Sequence, residues 1–334
     1  MNSPGRRVVH RVSQEQLQAL QQSLRQLAAD PPQPVSIDQV REQFALTRVG
    51  LPLADGYTAT PGTLGGVGVL RLDGAPSGSL VGPPGRPLGR PLGQPLGGGG
   101  VILYCHGGGY AIGSPRTHAA LTSLLAAQAG ANAISVDYRL APEHPYPAGL
   151  DDALAVYRAL LDSGTDPARV AFAGDSSGGG LATALLVAAR EAGLPLPAAA
   201  VLFAPWTDLT LSGASITGKQ DADLMLSAAG LSVSAADYAA AAAPGHPLIS
   251  PLFADLTGLP PLLIQVGSHD LLLDDATRLA ARAATADVEV RLEVTPGAPH
   301  VFQSFAGQLD EADAALASAG GFVRMCLGGA ALAL

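Results

Sequence analysis

At ~150 residues per domain, a chain of 334 residues has room for two domains, although α/β folds often run longer as one unit. With 48% apolar and only 14% charged residues it can build a large core and carries too little charge for disorder. A formal net charge of −9 and a pI of about 5.1 give no electrostatic footprint for nucleic acid, and two cysteines, Cys105 and Cys326, cannot make a disulfide framework or a cysteine zinc site.

Arg6, Arg7 and Arg11 open the chain with no apolar segment after them, so no export signal is expected and a cytoplasmic location is. Ser13-Gln14-Glu15-Gln16 resembles a capping box. Leu17, Leu20, Leu24 and Leu27 then share one helical face, which predicts a helix over 13–29, ended by Asp30-Pro31-Pro32. A second short helical pattern covers 36–45, with Val40 and Phe44 four apart. Residues 77–100 repeat Arg-Pro-Leu-Gly at 86–89 and 90–93 and Gln-Pro-Leu-Gly at 94–97. This predicts a mobile low-complexity loop that can bury little.

From residue 101 the pattern is regular. Apolar runs at 101–105, 132–136, 169–173, 198–203, 261–267 and 288–294 alternate with helical stretches near 117–130, 148–162, 178–192, 271–285 and 309–326. Continuous apolar strands separated by helices predict a parallel sheet covered on both faces, the α/β class. The uncharged stretch from Ala119 to Val136 is interrupted by Gln128, Gly130 and Asn132, so it reads as helix then strand and not as a membrane span. Residues 206–250 break the alternation and predict an inserted cap segment.

Gly174-Asp175-Ser176-Ser177-Gly178 fits G-x-S-x-G, a pattern expected about 0.3 times by chance in such a glycine-rich chain. Its setting is more telling: a strand precedes it and a helix beginning near Leu181 follows, the strand-turn-helix of a nucleophile elbow. His106-Gly107-Gly108-Gly109 directly follows the strand at 101–105. Consecutive glycines leave N–H groups free to converge on an anion. A serine nucleophile needs a base, and the base an orienting carboxylate. His300, in a loop after the last predicted strand, has the chain order of such a base, with His246 and His269 as rivals. Asp270 follows the strand near 262–267 and is the candidate acid, while Asp274 and Asp275 read as helix-capping or solvated groups.

His106-Gly-Gly-Gly-Tyr110 with Ser114, Thr117 and His118, Gly174-Asp175-Ser176-x-Gly178-Gly179, Asp137 to Pro145, and Asp270-Leu-Leu-Leu-Asp274 together resemble the hormone-sensitive-lipase-like (family IV) esterases of the α/β-hydrolase superfamily. The nucleophile block is of the Asp-Ser, GDSAG type, and the likeness covers about residues 65–325. Ser177 stands where the family usually has alanine, Cys105 replaces an aliphatic residue, and Val301 replaces a glycine.

The resemblance implies an α/β-hydrolase fold with a mostly parallel eight-stranded sheet and a helical cap. Cap helices would lie in 1–55 and an inserted cap segment in 206–250, with the catalytic domain in 56–205 and 251–334. It implies hydrolysis of short-to-medium acyl esters by Ser176, His300 and Asp270. The oxyanion hole would be built from Gly107, Gly108, Gly109 and Ser177, with Gly107 supporting the turn. The expected partner is a small-molecule ester; no metal, organic cofactor, nucleic acid or membrane is called for, and homo-oligomerisation is left open. A non-catalytic receptor on the same fold and an amide-directed hydrolase are the rival readings.

Overall fold

The computed structural model describes residues 9–29, 36–74 and 100–328. Apart from Gly100, the Pro-Leu-Gly repeats at 77–100 lie outside the described residues, as does the Asp30-Pro31-Pro32 stop signal. Eight strands form one sheet: β1 (Tyr57–Leu64), β2 (Val67–Gly74), β3 (Val101–Cys105), β4 (Asn132–Val136), β5 (Val170–Asp175), β6 (Ala199–Phe203), β7 (Leu262–Gly267) and β8 (Val290–Thr295). Their spatial order is β1-β2-β4-β3-β5-β6-β7-β8. β2 runs antiparallel to β1 and to β4, and every other pairing is parallel.

The central strands β3, β5, β6 and β7 are buried at every residue because helices cover both faces of the sheet. Those helices are α3 (Ala119–Ala129), α4 (Ala148–Asp162), α5 (Ser177–Glu191), α8 (Leu273–Thr285) and α9 (Asp310–Leu327). All lie within two or three residues of the predicted stretches. α5 is the most enclosed, buried from Ser177 through Ala189.

Three segments lie outside this alternation. α1 (Val9–Ala29) begins one turn before Ser13, so the capping-box serine is inside the helix and not at its start; the nearest helix breakers upstream are Pro4 and Gly5. α2 (Ile37–Arg48) is capped by the Ser36 hydroxyl, which accepts the Gln39 N–H, and runs one turn past the predicted end. Between β6 and β7 the chain forms α6 (Ser215–Gly218) and α7 (Ala228–Ala239). Among the described residues no helix is long and apolar enough to cross a membrane.

The chain leaves β3 for β4 on one side and then returns to place β5 on the other. This reversal opens a crevice at the carboxyl ends of β3 and β5, where Cys105 pairs with Gly174. The His106–Gly109 loop and Ser176 both emerge into it.

Candidate active site

β5 ends in a turn too sharp for ordinary backbone. Ser176 has φ 55° and ψ −125°, a conformation costing about 1–3 kcal/mol in a non-glycine residue. Four backbone bonds hold it there. Its N–H donates to Phe203 O (2.8 Å), and its carbonyl accepts from Gly179 (3.0 Å), Gly180 (3.1 Å) and Trp206 (2.9 Å). The motif glycines are needed for close approach: a Cβ at Gly178 would run into the carbonyl oxygens of Cys105 and His106, and one at Gly174 into the Gly178 carbonyl. Ser176 is thereby presented at the start of α5, whose positive end faces the cavity.

Ser176 Oγ lies 2.9 Å from His300 Nε2, and His300 Nδ1 lies 2.9 Å from Asp270 Oδ2. Asp270 is fully buried and its second oxygen accepts the Leu272 N–H at 2.8 Å. The loops carrying the acid and the imidazole are tied together by His269 N–H donating to Ala298 O (3.1 Å). Burial alone would lower the His300 pKa, but contact with the Asp270 carboxylate outweighs it and the net shift is upward.

The rival histidines are elsewhere: His246 is exposed with its ring accepting the Leu248 N–H, and neither it nor His269 lines the cavity. Asp275 differs from its expected role. It is fully buried, and Oδ2 accepts the N–H groups of Thr207 (2.7 Å) and Asp208 (2.8 Å). Burial raises its pKa to about 8, and it braces the 204–210 segment from inside the fold and is not a solvated helix group. Asp274 caps α6 by accepting the Ser215 N–H at 3.0 Å.

The N–H groups of Gly108, Gly109 and Ser177 have no hydrogen-bond partner among the described residues. Gly108 and Gly109 have φ of 120° and 61°, which suits glycine far better than any other residue. The Gly107 N–H instead donates to Asp175 Oδ1 (3.0 Å), so Gly107 anchors the turn. The Ser177 hydroxyl is fully buried and accepts the Tyr110 N–H at 3.2 Å, which occupies the oxygen that replaces the family's alanine methyl.

Behind this loop is a brace in which sequence reasoning reads His106 as structural but gives Asp175 no role. Asp175 accepts the Tyr104 hydroxyl (2.7 Å) as well as Gly107 N–H, and its other oxygen lies 3.4 Å from His118 Nε2. Burial pushes its pKa up, but His118 and the Tyr104 hydroxyl prevail and hold it down to about 2, a fixed anion. His106 stacks between Tyr138 and His118 at 4.3 and 5.4 Å, and burial lowers its pKa to about 3, so it stays neutral and structural. Asp223 was also missed. It accepts Leu271 N–H beside Asp270 and the N–H groups of Met225 and Leu226, tying that segment to the acid loop.

Above the serine is a cavity of about 500 Å³. Ser176, His300, Gly108 and Gly109 form its base, Val40, Phe44 and Arg48 of α2 one wall, and Met225, Leu226 and Leu231 another.

The family described as alpha/beta hydrolase fold matches residues 102–304. An acetyl-hydrolase of Streptomyces hygroscopicus is 48% identical over 230 residues, 69% of this chain and 77% of that protein. An esterase of Acinetobacter venetianus is 42% identical over 218 residues, 65% of this chain and 72% of that protein. The crystal structure of an esterase from the bacterial hormone-sensitive lipase family superposes with a TM-score of 0.83 at 40% identity, covering 94% of this chain and 99% of that one. The chain belongs to the α/β-hydrolase family, in its hormone-sensitive-lipase-like branch. It is a carboxylic ester hydrolase.

Proposed function

We propose that this enzyme hydrolyses short-to-medium acyl esters through an acyl-enzyme on Ser176. Ser176 Oγ attacks the ester carbonyl while His300 Nε2 takes its proton. Asp270 fixes the imidazole with Nδ1–H directed at its carboxylate and stabilises the imidazolium that forms. The tetrahedral oxyanion is held by the N–H groups of Gly108, Gly109 and Ser177, with Gly107 supporting their turn. His300 then protonates the departing alcohol, and a water activated by the same imidazole releases the acid.

The observation that carries this reading is the unbroken chain of two 2.9 Å contacts from Asp270 through His300 to Ser176, beside N–H groups with no partner among the described residues. It also favours catalysis over a receptor role, since a receptor has no use for a base aligned on a strained serine.

Residues 1–55 and 206–250 act as the cap on a catalytic body of 56–205 and 251–334. Support for that division comes from α2 and Met225–Leu231, which supply the cavity walls facing the serine. A cavity of about 500 Å³ is in the ~300–1,000 Å³ range of small-molecule pockets and suits one short acyl chain with its alcohol. An acyl series of p-nitrophenyl esters, with matched anilides, tests the substrate class. The highest kcat/KM should fall between acetyl and hexanoyl, with anilides far slower. A maximum on long-chain emulsions, or faster anilide cleavage, would contradict it.

A further inference from the structure

Most cations among the described residues are spoken for. Arg41 pairs with Glu143, Arg139 with Asp152, Arg278 with Asp208 and Arg291 with Glu293. Arg48 is different. It is partly buried and lines the cavity over Ser176, yet no acceptor among the described residues takes a hydrogen bond from it and no carboxylate pairs with it. Its guanidinium lies over the Phe44 ring, 4.8 Å from the guanidinium carbon to the centroid. Among the described residues Arg25, Arg116 and Arg158 also lack partners but are exposed to water, and Lys219, half-buried without one, does not line the cavity.

A guanidinium keeps its charge even where burial lowers its pKa, as it does here, so its five donors remain to be satisfied by whatever enters the cavity. A position at the end of α2 would be served by an arginine pointing outward. This one instead lies against the wall residue Phe44, whose ring is 6.0 Å from that of His118, next to the nucleophile's neighbour Asp175. Asp175 is the anion within electrostatic reach, and its oxygens are already engaged by Tyr104, Gly107 and His118.

We propose that Arg48 is a specificity-determining residue that makes the cavity select esters bearing a carboxylate remote from the scissile bond, such as half-esters of dicarboxylic acids. A carboxylate fits the guanidinium fork bidentately, and neither group then remains desolvated without a partner. The inference rests on the ester-hydrolase reading of the same site.

The test uses pairs matched in chain length. Monoethyl glutarate against ethyl hexanoate places the charge on the acyl side, and 4-acetoxybutanoate against pentyl acetate places it on the alcohol side. The quantity read is the charged-to-neutral ratio of kcat/KM. In Arg48→Met it should fall by about tenfold or more for one pair, which also identifies the side, and Arg48→Lys should recover part of it. A measurement on the parent needs no variant. A chain of net charge −9 repels anions, so added salt should raise kcat/KM for the charged ester unless a local cation attracts it. With Arg48 attracting the carboxylate, salt should lower it. Ratios unchanged in Arg48→Met for both pairs, or a rise with salt, overturn the role of Arg48 while turnover of the neutral esters leaves the hydrolase reading standing. Failure of the parent to cleave any of the four esters overturns both.

Discussion

Replacing Gly178 by alanine separates the Ser176 turn from the His106–Gly109 loop. The new Cβ would run into the carbonyls of Cys105 and His106, backbone atoms that cannot rotate aside. The two segments must move apart by about 1 Å to reach van der Waals distance. Alanine favours the helix by about 1 kcal/mol over glycine, while overpacking costs about 1–3 kcal/mol, so stability should fall by at most about 2 kcal/mol. Catalysis should suffer more. A displacement of about 1 Å costs on the order of 10²-fold, and loss of one oxyanion donor about 10²–10³-fold. Steady-state hydrolysis of p-nitrophenyl butyrate should therefore show kcat down by at least about 100-fold in a protein that still melts cooperatively. Gly218→Ala is the control, because a Cβ there meets nothing within 4 Å and φ is ordinary. A Gly178→Ala enzyme within threefold of the parent would refute the claim that the Gly108, Gly109 and Ser177 donors must keep their present separation.

Two pH measurements follow from the site. In the proposed mechanism only neutral His300 accepts the serine proton, and its pKa is raised, so kcat/KM should drop as pH falls through a value above the ordinary histidine ~6.5; an acid limb well below that would contradict the Asp270–His300 contact. Asp275 holds its proton to about pH 8 in the fold, against ~3.9 in the unfolded chain, so it makes stability fall with rising pH across that interval. Asp275→Asn retains an acceptor for Thr207 and Asp208 and should flatten that part of the Tm profile; a difference between the two proteins that does not change with pH would show that Asp275 is already ionised.

The parallel half of the sheet was legible because its strands are buried on both faces and so read as continuous apolar runs. β1 and β2 were not located. β1 is an edge strand carrying Pro61 and Gly62 with no buried residue, and β2 buries Arg71 among its apolar residues, so neither gives a run or a clean alternation. The end of α2 was missed for a related reason: its inward stripe continues Val40, Phe44, Arg48, and the charged third member reads as the end of the apolar pattern. Ser176, Asp270 and His300, which the fold brings into contact, could be singled out because each follows a recognisable strand. Asp223 lies in an irregular segment, and Asp175 and His118 sat inside motifs already explained by other residues. Only the folded arrangement brings out their carboxylate and imidazole contacts.

The most direct test of the central claim is where a serine-directed organophosphate attaches, read by intact mass and peptide mapping. A single adduct should form on Ser176, with loss of esterase activity in proportion to labelling, and neither labelling nor activity should be seen in Ser176→Ala. An adduct on another residue, or an active enzyme after complete labelling of Ser176, would contradict it.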